Sequence, residues 1–169
     1  GVEVDVSLID HYDGLITDLE LTIVREAKRR DADAFHRLRS VPGIGKILAL
    51  TILYEIHDIT RFERVQEFAS YARLVKGRHE SAGKVVGGGA KQGHVHLKWA
   101  FSEAAVTFLR QNREGQRLKA RFDRRHRKGQ ALSMLAHKIG RAVYHMLARH
   151  TTFSMERFLS LAIAVTDAV

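Results

Sequence analysis

Ser81 is the side chain best placed in the sequence to perform covalent chemistry. It lies in a glycine-rich segment, residues 75–94, that has no helical period. Basic residues flank it on both sides, namely Lys76, Arg78, His79, Lys84, Lys91 and His94. A serine hydroxyl attacks a phosphodiester only when a base or a metal activates it and positive groups stabilise the developing charge. The segment supplies the positive groups, so two interpretations remain open: a nucleophile, or a serine that contacts phosphate or forms a turn.

A second pattern, Val-Pro-Gly-Ile-Gly at residues 41–45, stands between two helical patterns. Gly43 and Gly45 can adopt positive φ and have no Cβ, so a phosphate can approach the backbone closely. The helix that follows adds its positive dipole end, and Lys46 adds a full charge. These features predict a helix-hairpin-helix motif that binds a phosphate backbone. The alternative is a simple Pro-Gly turn between packed helices.

The strongest concentration of charge lies in residues 110–128, which hold nine Lys and Arg against Glu114 and Asp123. The net charge of this stretch is +7, and its basic side chains would repel one another unless a polyanion neutralised them. We therefore predict that they contact phosphates, and the alternative is an ordinary helix whose charges are solvated by water. The predicted nucleic-acid contacts in this stretch are Arg117, Arg121, Arg124 and Arg125. Lys76, Arg78, Lys84 and Lys91 are predicted to join them from the glycine-rich loop.

The chain has no cysteine, so thiolate metal sites are excluded and the histidines are the residues that invite a metal interpretation. His94 and His96 form the closest pair among the ten. Two histidines at this spacing without a nearby third ligand are a weak indication of zinc. We therefore predict no metal site in this chain, with zinc at this pair as the alternative.

Composition and periodicity indicate an all-α protein. The 169 residues contain one proline and are 45% hydrophobic, and long stretches repeat with a helical period. The net charge of +9 favours a nucleic-acid partner. No apolar run is long enough to cross a bilayer, so we expect no membrane partner and a cytoplasmic location.

Three regions are predicted along the chain. Residues 1–36 form connecting helices, residues 37–150 a helical domain with the helix-hairpin-helix motif and the glycine-rich loop, and residues 151–169 a tail. In the first region apolar residues recur at alternating spacings of three and four, at Ile9, Tyr12, Ile16, Leu19 and Ile23. This seam is typical of a coiled coil that joins two copies, or of a long helix packed back on its own domain.

The order of these motifs resembles the C-terminal domain of the bridge-RNA-guided insertion-sequence transposases, the family that includes the pilin-gene-inverting recombinases. The resemblance covers about two thirds of the chain. It is carried by the turn at 41–45, Ile-Thr-Arg-Phe at 59–62, Phe-Ala-Ser-Tyr-Ala-Arg-Leu at 68–74, Ser-Ala-Gly-Lys at 81–84, Lys-Gln-Gly at 91–93, Leu-Lys-Trp-Ala at 97–100 and the helix from Ala131.

The resemblance implies that Ser81 is the serine that attacks a DNA phosphodiester and becomes linked to the strand, while a guide RNA selects the sequences. It implies composite sites between protomers, hence a homo-oligomer, and an N-terminal half of ribonuclease-H-like fold whose acidic residues hold Mg²⁺. Nothing in these residues resembles that half, so we expect a part of a longer protein that does not complete strand exchange alone. Ala82 also departs from the family, in which glycine or another small residue is common, and this change is mild.

Two other functions remain open. One is a non-catalytic helix-hairpin-helix module that only holds nucleic acid. The other is a structure-specific RNA-binding protein, which would prefer RNA to duplex DNA at equal salt.

Overall fold

The computed structural model describes residues 1–75, 78–81, 84–88, 93–110, 112–126 and 129–164, without the side chains of residues 30, 78–81, 84–88 and 161–164. The described chain is predominantly helical, as the sequence predicts. Its helices are α1 (Val2–Arg39), α2 (Lys46–Ile56), α3 (Val65–Tyr71), α4 (Val95–Arg110), α5 (Arg113–Arg125), α6 (Gln130–Ala148) and α7 (Met155–Ala164), with a 3-10 turn at Ile59–Arg61.

The glycine-rich segment contains two short strands, β1 (Arg78–Ser81) and β2 (Lys84–Gly88), which pair antiparallel. The all-α class agrees with the structure, whereas the expectation of an irregular loop in this segment does not, because the described part of the segment forms this small hairpin. In the paired strands Ser81 lies opposite Lys84. The register shifts along β1 between Arg78 and Glu80. Small glycine-rich strands without apolar alternation give little periodic signal, which explains why the sequence pattern does not reveal them.

Two helices, α4 and α6, form the centre of the fold, and α2, α3 and α5 pack around them. Large side chains that are fully buried line this centre, among them Phe68, Phe101, Phe108, Leu135 and Ile139. Small residues on α4, Ala100, Ala104 and Ala105, are also fully buried. They allow the helices to approach closely, so the position of α4 is tightly constrained.

The long helix α1 is broken at Asp31, whose φ of −158° and ψ of 85° are not helical. The Asp31 carboxylate accepts a hydrogen bond from the Ala34 N–H at 2.7 Å, which caps the short helical piece that follows. In that piece Phe35 and Leu38 are buried in the core. The break therefore separates a part that belongs to the packed body from a long N-terminal part.

The apolar seam of α1 is exposed. Ile9, Tyr12, Ile16, Leu19 and Ile23 have relative exposures between 43% and 62%. Polar contact with the body begins at Glu20, which pairs with Lys46, and apolar packing begins near Val24 and Ala27. The interpretation in which this seam folds back on its own domain is therefore wrong for residues 9–23.

At the other terminus, Phe158 of α7 is buried against Phe108 and Phe153, with ring centroids 5.3 and 5.4 Å away. The beginning of the tail is thus part of the core. None of the helices in the described part of the chain is both long and apolar enough to cross a membrane.

Candidate nucleic-acid interface

The turn between α1 and α2 uses its first glycine for packing. Gly43 has a φ of +88°, and a Cβ added there would lie 2.5 Å from the Phe108 amide nitrogen and 2.8 Å from the Ala104 carbonyl oxygen. The Thr107 hydroxyl donates a hydrogen bond to the Gly43 carbonyl at 2.7 Å. Gly43 is therefore required for contact with α4, and its backbone faces the protein rather than an open surface.

Gly45 differs from Gly43 although both belong to the same motif. It is exposed, its φ is −80°, and a Cβ added there would meet nothing within 4 Å. Gly45 caps α2 without a side-chain acceptor. Because the first N–H groups of a helix have no partner within the helix, the start of α2 presents donors to an anion. The expectation of positive φ thus holds at Gly43 and not at Gly45.

Lys46 follows this cap and is not a free cation. Its ammonium group forms an ion pair with the Glu20 carboxylate of α1, and both side chains are about 40% exposed (41% and 43%). A phosphate at the start of α2 would have to compete with Glu20 for this charge. The contact also ties the exposed part of α1 to the turn.

Helix α5 presents a row of arginines. The row consists of Arg113, Arg117, Arg121 and Arg124, which follow one another at helical spacing and are all exposed, and we call it the α5 row. Arg117 pairs with Glu114 at 2.8 Å, whereas no ion pair is formed by the other three with any described side chain. Arg125 is exposed as well. The α5 row extends over roughly 16 Å and suits a regularly spaced polyanion.

Phe108 brings the turn and α5 together. Its backbone lies against Gly43, and a Cβ added at Gly115 in the first turn of α5 would lie 2.5 Å from the Phe108 ring. Asn112 caps α5 by accepting a hydrogen bond from the Gly115 N–H at 2.9 Å. Two segments that the sequence predicted to bind phosphate therefore meet at the C-terminal end of α4.

Gly93 and His94, which follow the glycine-rich strands in the chain, lie near the opposite end of α4. The His94 N–H donates to the Tyr71 carbonyl at 2.6 Å, so the chain returns to α4 beside the end of α3. Gly93 makes this return with a φ of +106°, and a Cβ there would lie 2.6 Å from the Tyr71 carbonyl oxygen. His94 and Phe108 are about 21 Å apart along the helix. The base of the glycine-rich segment is therefore distant from the turn.

Ser81 is the last residue of β1 and Lys84 the first of β2, at the end of the hairpin away from its base. The side chains of Ser81, Arg78 and Lys84 are outside the described part of the structure. Lys76 and Lys91 lie wholly outside the described residues. Their predicted roles stay predictions.

Glu55 holds the hairpin base from the end of α2. Its two carboxylate oxygens lie 3.0 Å from His94 Nε2 and 2.9 Å from His96 Nδ1. The His94 ring also packs against Tyr71, and Arg61 stacks over Tyr71 at 4.5 Å from the ring centroid. His94 and His96 thus both bind one carboxylate. In the described residues no group of three histidines or carboxylates is arranged to hold a metal ion.

A second group of basic side chains lies on α6 and at its C-cap, and the sequence interpretation did not recognise it as one group. It comprises His137, Lys138, Arg141, His145 and Arg149, which we call the α6 stripe. Burial lowers the pKa of Lys138 to about 8 and lowers the pKa of His137, with Arg141 adding repulsion in both cases. The pKa of His145 is lowered by burial and by the neighbouring arginines. Basic residues recur every four positions from 137 to 149, and this spacing could have revealed the stripe from the sequence alone.

Comparison with known proteins places this arrangement among transposases. The model of the transposase IS116/IS110/IS902 family matches residues 35–122, which include the turn, the hairpin, α4 and most of α5. The chain is also 31% identical over 123 residues to the transposase for insertion sequence element IS1111A of Coxiella burnetii (strain RSA 493 / Nine Mile phase I). The match covers 69% of the chain and 34% of that relative, so the chain spans about a third of its length.

Proposed function

Because this chain belongs to the IS116/IS110/IS902 transposase family, we propose that it is the nucleic-acid-binding and serine-bearing part of a longer insertion-sequence transposase. The observation that carries the proposal is that the turn and helix α5, which exposes the α5 row on its other face, both pack against Phe108. Open N–H groups at Gly45 and a row of arginines at one end of α4 form a surface for a phosphate backbone. The predicted cytoplasmic location belongs to the same proposal.

The binding step uses two kinds of donor. The start of α2 offers directional N–H groups and a helix dipole, whereas the α5 row offers guanidinium groups that bind phosphate oxygens in pairs. Neither recognises bases, so this surface fixes position and affinity and not sequence. Sequence choice is left to the guide RNA that the family resemblance implies.

The chemical step belongs to Ser81. Its Oγ attacks a DNA phosphorus, an Oγ–P bond forms, and the P–O bond to the leaving strand breaks. The serine proton passes to a base, and the leaving oxygen takes up a proton. The later attack of the exchanged strand on the phosphoserine reverses these steps and releases the serine. Basic residues that flank Ser81 in sequence, such as Lys84, stabilise the negative charge that develops on the phosphoryl and leaving oxygens.

Magnesium belongs, in this proposal, to an acidic domain of the transposase outside these 169 residues. When bound, it supplies Lewis-acid activation of the phosphate. The described side chains offer no set of three ligands for it, and no step of this chain is routed through it.

The exposed seam of α1 supports a homo-oligomer. Ile9, Tyr12, Ile16, Leu19 and Ile23 expose a continuous apolar face that water solvates poorly. We assign this face to contact with a second copy. In the full-length protein, Ile16→Ser with Leu19→Ser should weaken self-association by roughly 10³-fold, because four apolar side chains leave the interface of a dimer. Sedimentation over a concentration series measures this, and unchanged association would reject the assignment.

The central experiment replaces Ser81 by alanine in the full-length protein. Strand transfer should fall on the order of 10³-fold or more, while DNA affinity changes by less than about twofold, because the hydroxyl takes part in chemistry and not in holding the backbone. Ser160→Ala on the exposed side of α7 is the matched control and should leave both unchanged. A phosphoserine adduct trapped on wild-type protein should map to Ser81.

The second candidate function is a non-catalytic module that only holds nucleic acid. The separation of about 21 Å between Phe108 and the hairpin base favours it, because the binding surface does not lie at the base of the segment with the serine. Under this alternative Ser81→Ala leaves strand transfer intact. A preference for RNA over duplex DNA at equal salt would instead support a structure-specific RNA-binding protein.

A further inference from the structure

The α6 stripe is the outward face of a helix whose inward face is firmly packed. Its residues occur at positions i, i+1, i+4, i+8 and i+12, so they share about a third of the helix circumference and extend over roughly 18 Å. On the opposite face Leu135, Ile139 and Val143 are fully buried. The stripe cannot rotate away without unpacking the centre of the fold.

The basic groups of the α6 stripe have no acidic partner. Among the described side chains none of the five forms an ion pair, and Lys138 only lies over the Phe158 ring, 4.9 Å from its centroid. The stripe shares this property with Arg113, Arg121 and Arg124 of the α5 row, whereas Arg117 pairs with Glu114. Lys138 and Arg141 are like charges one turn apart and repel each other, so without an anion they destabilise the free helix.

Partial burial strengthens this argument. His137, Lys138, Arg141 and His145 are half-buried, and the lowered pKa of Lys138, about 8, reflects the loss of hydration. A cation that has already lost part of its water gains more from an anion than a fully hydrated one does. A pKa near 8 still leaves Lys138 mostly charged at neutral pH.

We propose that the α6 stripe binds a phosphodiester strand in addition to the strand held by the turn and the α5 row. The inference rests on the proposed function in so far as it makes the partner a nucleic acid. Successive basic groups about 6 Å apart suit a linear polyanion with regular charges. Arg141 and Arg149 can each bind a phosphate with two parallel hydrogen bonds, and His145 lies between them as a further donor.

The test removes two charges from the stripe. Arg141→Gln with Arg149→Gln in the full-length protein is compared with Arg25→Gln and Arg157→Gln, two exposed arginines of α1 and α7 that form no ion pair with a described side chain. Affinity is measured over a salt series with two probes of equal length, a duplex DNA and an RNA. For at least one probe the stripe variant should bind at least tenfold more weakly, with a salt slope shallower by about two. The control pair should stay within twofold.

The probe to which the stripe variant binds more weakly shows whether the strand bound by the stripe is DNA or RNA. Wild-type affinity and slope for both probes would overturn the inference. The proposed function would stand if Arg117→Gln, Arg121→Gln and Arg124→Gln together still weaken binding by roughly 10²-fold. If these α5 substitutions also have no effect, the proposed function fails as well. Arg149→Gln alone changes an exposed side chain and should not disturb folding, so it serves as a second variant. It should make the salt slope of binding shallower by about one. Lysine at both positions should restore most of the binding.

Discussion

The two ends of α4 are held in different ways. At the C-terminal end, glycines of the turn and of α5 close against Phe108, and arginines point away from the contact. At the N-terminal end, Glu55, His94 and His96 hold the base of the hairpin by charged hydrogen bonds. The first end combines rigid packing with exposed arginines, which suits holding a nucleic-acid backbone. The second anchors a segment through groups that exchange partners more easily.

The largest effect is expected from filling the closed glycine contact. Gly43→Ala should lower the free energy of unfolding by about 3 kcal/mol or more, because the new methyl group meets backbone atoms of α4 and the residue must keep a positive φ. Gly45→Ala is the matched control in open space, with an expected loss of less than about 1 kcal/mol. Chemical denaturation measures both. Equal losses would show that Gly43 is not held against α4.

Removing charge at the same end should come next. Arg117→Gln with Arg121→Gln and Arg124→Gln should weaken DNA binding by roughly 10²-fold and make the salt slope shallower by about three. Titrations at several salt concentrations test this. The unfolding transition should be nearly unchanged, since these side chains are exposed. A loss of binding without a change of slope would contradict direct phosphate contact.

The other end of α4 should respond through chemistry and not through binding. Glu55→Gln keeps the shape but weakens the contacts to His94 and His96, at a cost to stability of about 1 kcal/mol. We expect strand transfer by the full-length protein to fall severalfold with an unchanged salt slope of DNA binding. Glu103→Gln, an exposed acidic residue of α4 without an ion pair in the described structure, is the control. If Glu55→Gln alters binding as much as transfer, the two ends are not functionally distinct.

The smallest effect is a pH dependence from α6, which packs along α4. The pKa values of His137 and His145 are lower in the folded protein than the ordinary 6.5, chiefly because burial disfavours the charged ring. The unfolded chain therefore binds more protons, and the free energy of unfolding falls as pH drops below about 6.5. The loss should be less than about 1 kcal/mol, since both rings are partly solvated. His137→Gln with His145→Gln should flatten the profile measured by thermal melting.

Local patterns in the sequence were sufficient for several features. The helical fold, the basic character of α5 and the turn at 41–45 follow from periodicity, charge spacing and glycine chemistry, which act over a few residues. The exposed seam of α1 was also visible, but the sequence left open whether it packs against its own domain. That choice depends on where a helix 38 residues long is broken, and the break at Asp31 is a single conformation that periodicity does not encode.

Other features needed the tertiary structure. Gly43 and Gly45 look equivalent in the motif, and only the approach of α4 makes one of them a packing contact and leaves the other open. Likewise, Glu55 is 39 residues before His94 in the sequence, and only the packing of α2 along α4 joins them.

The sequence by itself determined which segments are helices and where positive charge accumulates, because both depend on neighbouring residues. The tertiary structure decided which glycine is covered, which cation is paired and which end of α4 holds the hairpin. These outcomes depend on contacts between residues that are distant in the chain, and such contacts are fixed only when the helices pack together.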